Sequence, residues 1–262
     1  YLLGNIPLQL LAKGVITRSN HYGAATSAFM LVSAIASLPL VFFYEWRLPD
    51  DPVVYLAFLC VAALLAISIR IEIVARKALP VSEIVIMNRL RAVLFIVASI
   101  VILGEDPSIS LILGAALIIA SNLIITYKKG RFVLNEFFWY MVLSSVFVVA
   151  STLLDVEISK QFNFGFFLFA SFLLRAGMIA VFDRQSPRAV LNEFRGDKGW
   201  KITLMGIGLL LSVYATLRGF QEAPVSLFEP LKSTAAFIVV LISSQLNQED
   251  RSGLGRKVFA SL

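Results

Sequence analysis

The chain has little of what most enzyme active sites are built from. Its 262 residues include one cysteine, Cys60, and one histidine, His21. A single residue of each kind supplies neither a His-based metal site nor a Cys–His catalytic pair, and it leaves no intrachain disulfide. Charged residues are also scarce, at 15% of the chain against about a quarter in soluble domains. The sequence therefore argues against an enzyme and against an ordinary soluble domain.

Hydrophobic residues, in contrast, make up 58% of the chain, and uncharged runs cover 19–44, 52–69, 107–127 and 137–154. A helix needs about 20 such residues to cross about 30 Å of hydrocarbon. Buried helices of a large soluble protein are the alternative, but they would show polar stripes at the helical period, and these runs mostly do not. We therefore predict an all-α integral membrane protein.

Part of the chain occurs twice. A shift of 144 positions aligns residues 80–108 with 224–252 and gives eight identities, where about two or three are expected by chance. Pro80-Val81-Ser82 falls on Pro224-Val225-Ser226 in this register. A duplicated half in so apolar a chain is typical of secondary transporters, whose substrate site lies between the halves.

The apolar pattern predicts ten spans. They cover residues 1–12, 22–44, 53–75, 80–103, 109–127, 135–155, 163–182, 200–219, 223–246, and 254 onward. Spans four and nine are the duplicated pair, so we predict two five-helix repeats, at 1–131 and 132–262, with the first and last helices clipped. An odd number of helices in each repeat forces the two repeats to insert with opposite topology.

Ionisable side chains within the spans indicate where a substrate would bind, because placing them against lipid costs about 3 kcal/mol or more. Glu229 and Lys232 share one face of span nine, and the repeat register puts Asn88 and Arg89 on the corresponding face of span four. Opposed across a pseudo-two-fold axis, these faces predict a cavity for an anionic, zwitterionic or polyhydroxylated substrate. Glu229 and Lys232 could instead neutralise each other as a structural pair.

Four further residues complete the predicted substrate-binding set: Arg175, Tyr214, Asn5 and Gln9. Each has a structural alternative: Arg175 could pair with an acid on a neighbouring helix, and Tyr214 could serve packing. Asn5 and Gln9 share a face of span one, where interhelical hydrogen bonds explain them equally well. No catalytic residue, metal site or cofactor is predicted.

Span four carries a second arginine that we do not assign to the cavity. Arg91 lies about 200° around the helix from Arg89, so the two side chains cannot point the same way. We expect Arg91 to serve packing or a salt bridge.

Several short motifs resemble the EamA-type repeat of the drug/metabolite transporter superfamily. The first copy carries Ala78-Leu79-Pro80, Leu103-Gly104-Glu105, Ser108 and Gly114, and the second keeps Ala223-Pro224, Glu249 and Ser252. Tyr214 and Leu217 also fit the family's pattern. The second copy has Asn247-Gln248 where the family prefers Leu-Gly. The resemblance implies ten helices in two inverted five-helix repeats, a central cavity, and export or exchange of small metabolites.

We therefore predict a secondary transporter that moves a small polar metabolite, anionic or zwitterionic such as an amino acid, by alternating access. Its partners would be that substrate and membrane lipid, with no nucleic acid, and a coupling ion or counter-substrate stays open. The predicted location is the inner membrane of a bacterium or archaeon. A lipid-carrier flippase or accessory membrane subunit of the same fold is the alternative, and an intramembrane enzyme is a third reading.

Two arguments about orientation disagree. The odd-numbered loops hold 16 of the 23 Lys and Arg residues and the even-numbered loops hold three. Taken alone, this bias puts the odd loops in the cytoplasm and both termini outside. The family resemblance implies both termini in the cytoplasm, and that is the orientation we predict.

Overall fold

A computed structural model describes residues 11, 15, 22–78, 90–104, 106, 109–128, 131–132, 136–223 and 228. These residues form helices α1 (Tyr22–Ser37), α2 (Pro52–Ala78), α3 (Leu90–Leu103), α4 (Ile109–Thr126), α5 (Glu136–Ser159), α6 (Phe164–Phe182), α7 (Pro187–Asn192) and α8 (Gly199–Glu222). A 3-10 turn, Leu38–Phe42, extends α1, and another, Gly196–Lys198, precedes α8. Two short antiparallel strands, β1 (Tyr127–Lys128) and β2 (Arg131–Phe132), connect α4 to the second half.

The predicted all-α membrane fold is confirmed within these residues. Five of the described helices are long and apolar enough to cross a membrane: Tyr22–Phe42, Pro52–Ala75, Glu136–Ser159, Phe164–Phe182 and Gly199–Glu222. They match predicted spans two, three, six, seven and eight. Spans one, nine and ten lie outside the described residues, as does the first half of span four.

Small residues are buried along α1, the aromatic rings of Phe167 and Phe172 are buried in α6, and many other large apolar side chains face outward. Along α1, Ala24, Ala25 and Ala28 are buried together with Thr26 and Ser27. Large apolar side chains on the other helices point outward and are exposed, among them Val101, Ile109, Leu117, Leu154 and Val181. Small side chains allow helix backbones to approach closely, and lipid supplies apolar surroundings for the outer surface.

Helix α1 is held between α6 and α8 by close backbone contacts. A Cβ atom on Gly165 of α6 would collide with the backbone of Leu40 and Val41, just after α1. A Cβ atom on Gly206 of α8 would lie 2.6 Å from the carbonyl oxygen of Phe29. At the latter contact the Ser33 hydroxyl also donates a hydrogen bond to the Gly206 carbonyl, at 2.8 Å. Glycine is therefore required at both crossings.

The helix contacts join the two predicted repeats. α1 packs against α6 and α8, α2 packs against α5 and α6, and α3 packs against α5. If each helix of the first repeat corresponds to the helix five spans later, α1 corresponds to α6 and α2 corresponds to α8. The α2–α6 contact then corresponds to the α8–α1 contact, and the α1–α6 contact corresponds to itself. This arrangement fits two inverted repeats, and the division between residues 131 and 132 stays a prediction.

The two ends of the bundle can be told apart by polar contacts. At the first end, the loop between α5 and α6 contains Asn163, and the C-terminal turns of α5 and α8 meet through a Gln221–Ser159 hydrogen bond. At the opposite end, Arg70 of α2 forms an ion pair with Asp183, at 2.7 Å. We call these the Asn163 end and the Asp183 end.

Candidate functional site

The structure describes two of the eight predicted substrate-binding residues. Arg175 lies in α6 and Tyr214 lies in α8. The other six fall outside the described residues: Asn5, Gln9, Asn88, Arg89, Glu229 and Lys232. The predicted cavity between spans four and nine therefore stays a prediction, and the site is built here from what surrounds Arg175 and Tyr214.

Arg175 pairs with an acid on the neighbouring helix, which is the structural alternative considered above. Its Nη2 atom donates to Oδ2 of Asp155 in α5, at 2.8 Å. The two side chains are among the least accessible charged groups described, with 6% and 5% of their surfaces exposed. The Arg175 guanidinium also lies 5.8 Å from the ring of Phe172, one turn earlier in α6.

The polar atoms around this pair are only partly satisfied. Oδ1 of Asp155 and Nε of Arg175 are buried and have no hydrogen-bond partner within the described structure. The same holds for the hydroxyls of Ser151 and Ser171, which lie four residues before Asp155 and Arg175 respectively. Residues four apart share a helix face. The pair is therefore accompanied on both helices by buried polar groups with unused bonding capacity.

Tyr214 belongs to a second group of side chains at the Asn163 end. Its hydroxyl forms a hydrogen bond with the hydroxyl of Tyr44, at 2.8 Å. The Phe164 ring packs edge-on against both tyrosines, with centroids 5.4 Å from Tyr44 and 5.7 Å from Tyr214. Tyr44 follows α1, Phe164 begins α6 and Tyr214 is in α8, so the group joins three helices.

The guanidinium of Arg218 lies over this aromatic group. Its Cζ atom is 4.8 Å from the Tyr44 ring centroid and 4.7 Å from that of Phe164. Nη1 donates to Oε1 of Gln221, at 3.2 Å. No described carboxylate lies within 4 Å of this half-buried guanidinium. We call Tyr44, Phe164, Tyr214 and Arg218 the Arg218 cluster.

Asn163 fixes the loop that carries Tyr44. It caps α6 by accepting from the backbone N–H of Phe166, at 2.8 Å. Its side-chain amide donates to three carbonyl oxygens of the loop after α1, those of Val41, Tyr44 and Glu45. Because Asn163 is itself buried, this one side chain holds the Tyr44 backbone against the start of α6.

Arg91 takes the structural role expected of it. Its Nη2 atom forms an ion pair with Oε2 of Glu72 in α2, at 2.7 Å, and reaches the Ser144 hydroxyl of α5, at 3.1 Å. The Ser144 hydroxyl in turn lies 2.9 Å from that of Ser68 in α2. Arg91 therefore joins α2, α3 and α5 through one polar network.

The sequence analysis missed four residues that define these sites: Tyr44, Asp155, Asn163 and Arg218. Two of them could have been found. Arg218 lies four residues after Tyr214 and within the predicted span 200–219, yet it was counted among the loop residues. Asp155 is the last residue of predicted span six. Tyr44 and Asn163 gave no local signal, because their importance depends on a contact between distant loops.

Two overlooked acids also change an argument about the substrate. Glu72 and Asp155 lie within predicted spans three and six and were not considered there. These two neutralise Arg91 and Arg175. Among the described residues, the preference for an anionic substrate therefore depends on Arg218.

No grouping of three or more His, Cys, Asp and Glu side chains that could hold a metal ion is found among the described residues. The sites described above offer hydrogen bonds, aromatic faces and buried charges.

Comparison with known proteins bears on what these sites serve. Residues 10–127 match the model of the EamA-like transporter family. A solved structure described only as the crystal structure of a protein superposes with a TM-score of 0.70, covering 99% of this chain and 91% of its own, at 13% sequence identity. This likeness shows the fold alone. A search of curated proteins found no match.

Proposed function

We propose that this chain is a transporter of the EamA-like family, whose model matches residues 10–127, and that it moves a small metabolite carrying an anionic group, such as a zwitterionic amino acid. The path would run between the two repeats by alternating access. Five described helices long and apolar enough to cross a membrane support a multi-pass integral membrane protein, and the match over residues 10–127 supports the transporter class. The observation that carries the substrate class is the Arg218 guanidinium, which no described carboxylate neutralises.

The surroundings of Arg218 suit the recognition of a carboxylate or phosphate. A guanidinium presents its N–H groups in a planar fork that matches two oxygen atoms at once. The rings of Tyr44 and Phe164 contact the guanidinium by cation–π interaction, which holds it without using its charge for an ion pair. Beside it, the paired hydroxyls of Tyr44 and Tyr214 offer hydrogen bonds to further polar groups of a ligand.

The Arg218 cluster would serve as the entrance of the pathway at the Asn163 end. The predicted cavity residues Asn88, Arg89, Glu229 and Lys232 would form its centre, with Asn5 and Gln9 from span one. A substrate would pass from one set to the other as the repeats rearrange. This arrangement supplies positive charge at both positions, which is what a substrate with an anionic group requires.

A thermal-shift screen with a pair of variants tests this proposal. Purified protein is heated with amino acids, sugar phosphates and cationic drugs, and a ligand that binds the folded form raises its melting temperature. We expect anionic or zwitterionic ligands to do so. Arg218→Gln should weaken the binding of such a ligand about 10- to 100-fold, since a hydrogen bond to a charged group contributes about 1.5–3 kcal/mol.

The matched control is Arg47→Gln, which removes an exposed arginine from the loop between α1 and α2 at the same end of the bundle. It should leave both the affinity and the melting temperature unchanged. Stabilisation by cationic drugs alone would refute the substrate class. Equal effects of the two substitutions would remove Arg218 from the binding site.

A further inference from the structure

The Asp155–Arg175 pair is the most deeply buried charged contact described, and the function proposed above does not use it. An ion pair within a bundle is stable only when its geometry and hydrogen bonds offset the loss of hydration. Here one carboxylate oxygen, Oδ1, accepts no hydrogen bond within the described structure. We propose that Asp155 binds a proton at Oδ1 and that this proton couples to transport, an inference that rests on the proposed transporter function.

A proton fits the vacant oxygen better than a metal cation does. The Arg175 guanidinium already holds Oδ2 at 2.8 Å. Either cation leaves the site with one net positive charge, but a hard metal cation requires several oxygen ligands, whereas a proton requires only Oδ1. A proton instead forms an O–H bond at Oδ1 and converts the carboxylate to a neutral acid, while Arg175 keeps its own proton and charge. The proton comes from the aqueous phase, so no other reactant is needed.

Protonation would change the attraction between two neighbouring helices. With Asp155 ionised, an ion pair joins α5 to α6. With Asp155 neutral, the guanidinium of Arg175 loses its counter-charge and retains the Phe172 ring, 5.8 Å away. An uncompensated charge in a bundle is costly, so the helices are expected to rearrange until Arg175 reaches water or an anion. Proton binding therefore biases one arrangement of α5 and α6 over another.

A row of polar groups connects Asp155 to the Arg218 cluster. Ser151, Asp155 and Ser159 follow one another at four-residue intervals and share a face of α5. The Ser159 hydroxyl accepts from Gln221 of α8, at 2.9 Å, and Gln221 accepts from Arg218, at 3.2 Å. Ser159, one turn from Asp155 on the same face of α5, is therefore linked by hydrogen bonds to the proposed substrate contact.

The neighbouring helices carry other titratable groups. α2 carries Tyr55, Cys60, Arg70, Glu72, Arg76 and Lys77, α3 carries Arg91, α6 carries Arg175, and α8 carries Lys201, Tyr214, Arg218 and Glu222. Glu72 and Arg91 pair with each other beside Ser144, eleven residues before Asp155 and about 16 Å along the helix axis. Arg175 is the charged group within ion-pair distance of Asp155.

Infrared difference spectroscopy tests the inference without any substrate, because the probe is the proton itself. Acidifying detergent-solubilised protein should produce the carbonyl stretch of a protonated carboxylic acid, at the high-frequency position of a group with few hydrogen bonds. Asp155→Asn should abolish this component. Glu157→Gln, which removes an exposed carboxylate two residues along α5, should retain it.

The folding of the variant is controlled by a second substitution. Asp155→Asn leaves Arg175 unpaired and could fail to fold, so the double variant Asp155→Asn/Arg175→Gln, which removes both charges, is measured in parallel. It should fold and lack the band. A band that persists in either variant would overturn the inference. A change in the Asp155 carboxylate band when sodium replaces choline in the buffer at neutral pH would indicate that Asp155 binds sodium, and it would also overturn the inference.

The outcome separates this inference from the proposed function. A protein that binds anionic ligands but lacks the acid-induced band contradicts the proton site alone. A protein that shows the band but binds no anionic or zwitterionic ligand contradicts the proposed substrate class alone.

Discussion

The strongest quantitative test of the structure is a double-mutant cycle on Asp155 and Arg175. The single substitutions are Asp155→Asn and Arg175→Met, and the third variant carries both. Their side chains are 5% and 6% exposed and joined at 2.8 Å. Removing one partner of such a buried pair leaves the other uncompensated, which costs about 3–5 kcal/mol of unfolding free energy. Removing both is expected to be neutral or stabilising.

The interaction energy follows from these magnitudes. If each single change costs about 3 kcal/mol and the double change costs nothing, the two residues are coupled by about 6 kcal/mol. The matched control is the cycle on Glu157 and Lys160, which form an ion pair at 2.6 Å with 63% and 49% of their side chains exposed. Water and salt screen this pair, so its coupling should be about 0.5 kcal/mol or less.

The assay is unfolding of the purified protein in mixed micelles, followed by helical circular dichroism as denaturing detergent is added. Free energies are compared at neutral pH for both cycles under the same conditions. Acid should then reduce the cost of Arg175→Met, since a neutral carboxyl is cheaper to bury than an ionised one. It should also reduce the cost of Asp155→Asn, because a protonated Asp155 has already lost the charge that this substitution removes. A coupling no larger than that of the surface control would refute the buried ion pair.

Two further predictions concern span four and the helix crossings. Arg89→Ala should lower ligand affinity with little change in melting temperature. Arg91→Ala should instead lower the melting temperature, because Glu72 loses this ion-pair partner. The opposite pattern would contradict the repeat register. Gly165→Ala should destabilise the fold by about 1–3 kcal/mol through its collision with the backbone at Leu40 and Val41. The control is Gly177→Ala in the same helix, where no atom lies within 4 Å of the added Cβ, and this change should be neutral or stabilising. Equal melting temperatures for the two glycine variants would show that α1 and α6 are not in close contact.

The spans could be predicted from the sequence because each depends on a long local run of apolar residues. Predicted span two, 22–44, became Tyr22–Phe42, and predicted span seven, 163–182, became Phe164–Phe182. The helices run past their predicted ends at α5, which continues to Ser159 beyond residue 155, and at α2, which continues to Ala78 beyond residue 75. Its last turns carry Arg70 and Glu72, which are held by Asp183 and Arg91 rather than by water alone. A hydropathy profile does not detect such ion pairs.

The sites depended on contacts that local patterns do not contain. Tyr44 lies in a loop, and its backbone is held by Asn163, 119 residues further along the chain. No feature of the sequence near Tyr44 predicts this hydrogen bond. Arg175 was identified from the sequence as an unusual residue for a membrane span, but its partner Asp155 was not identified. A single acid at the end of a predicted span is indistinguishable from the first residue of a loop. Partner identity is tertiary information.

The two interior ion pairs provide a final argument about which charges serve function. Glu72 and Arg91 share their network with Ser144 and Ser68, and within the described structure the buried atom of that pair without a partner is a donor, Nε of Arg91. Asp155 keeps one oxygen without a partner while the hydroxyl of Ser151, on the same helix face, is also unused. A buried pair is seldom more stable than apolar side chains of the same size, so stability alone explains the incomplete pair poorly. A site that must bind and release a proton requires an atom left free to accept it, and Oδ1 of Asp155 meets that requirement.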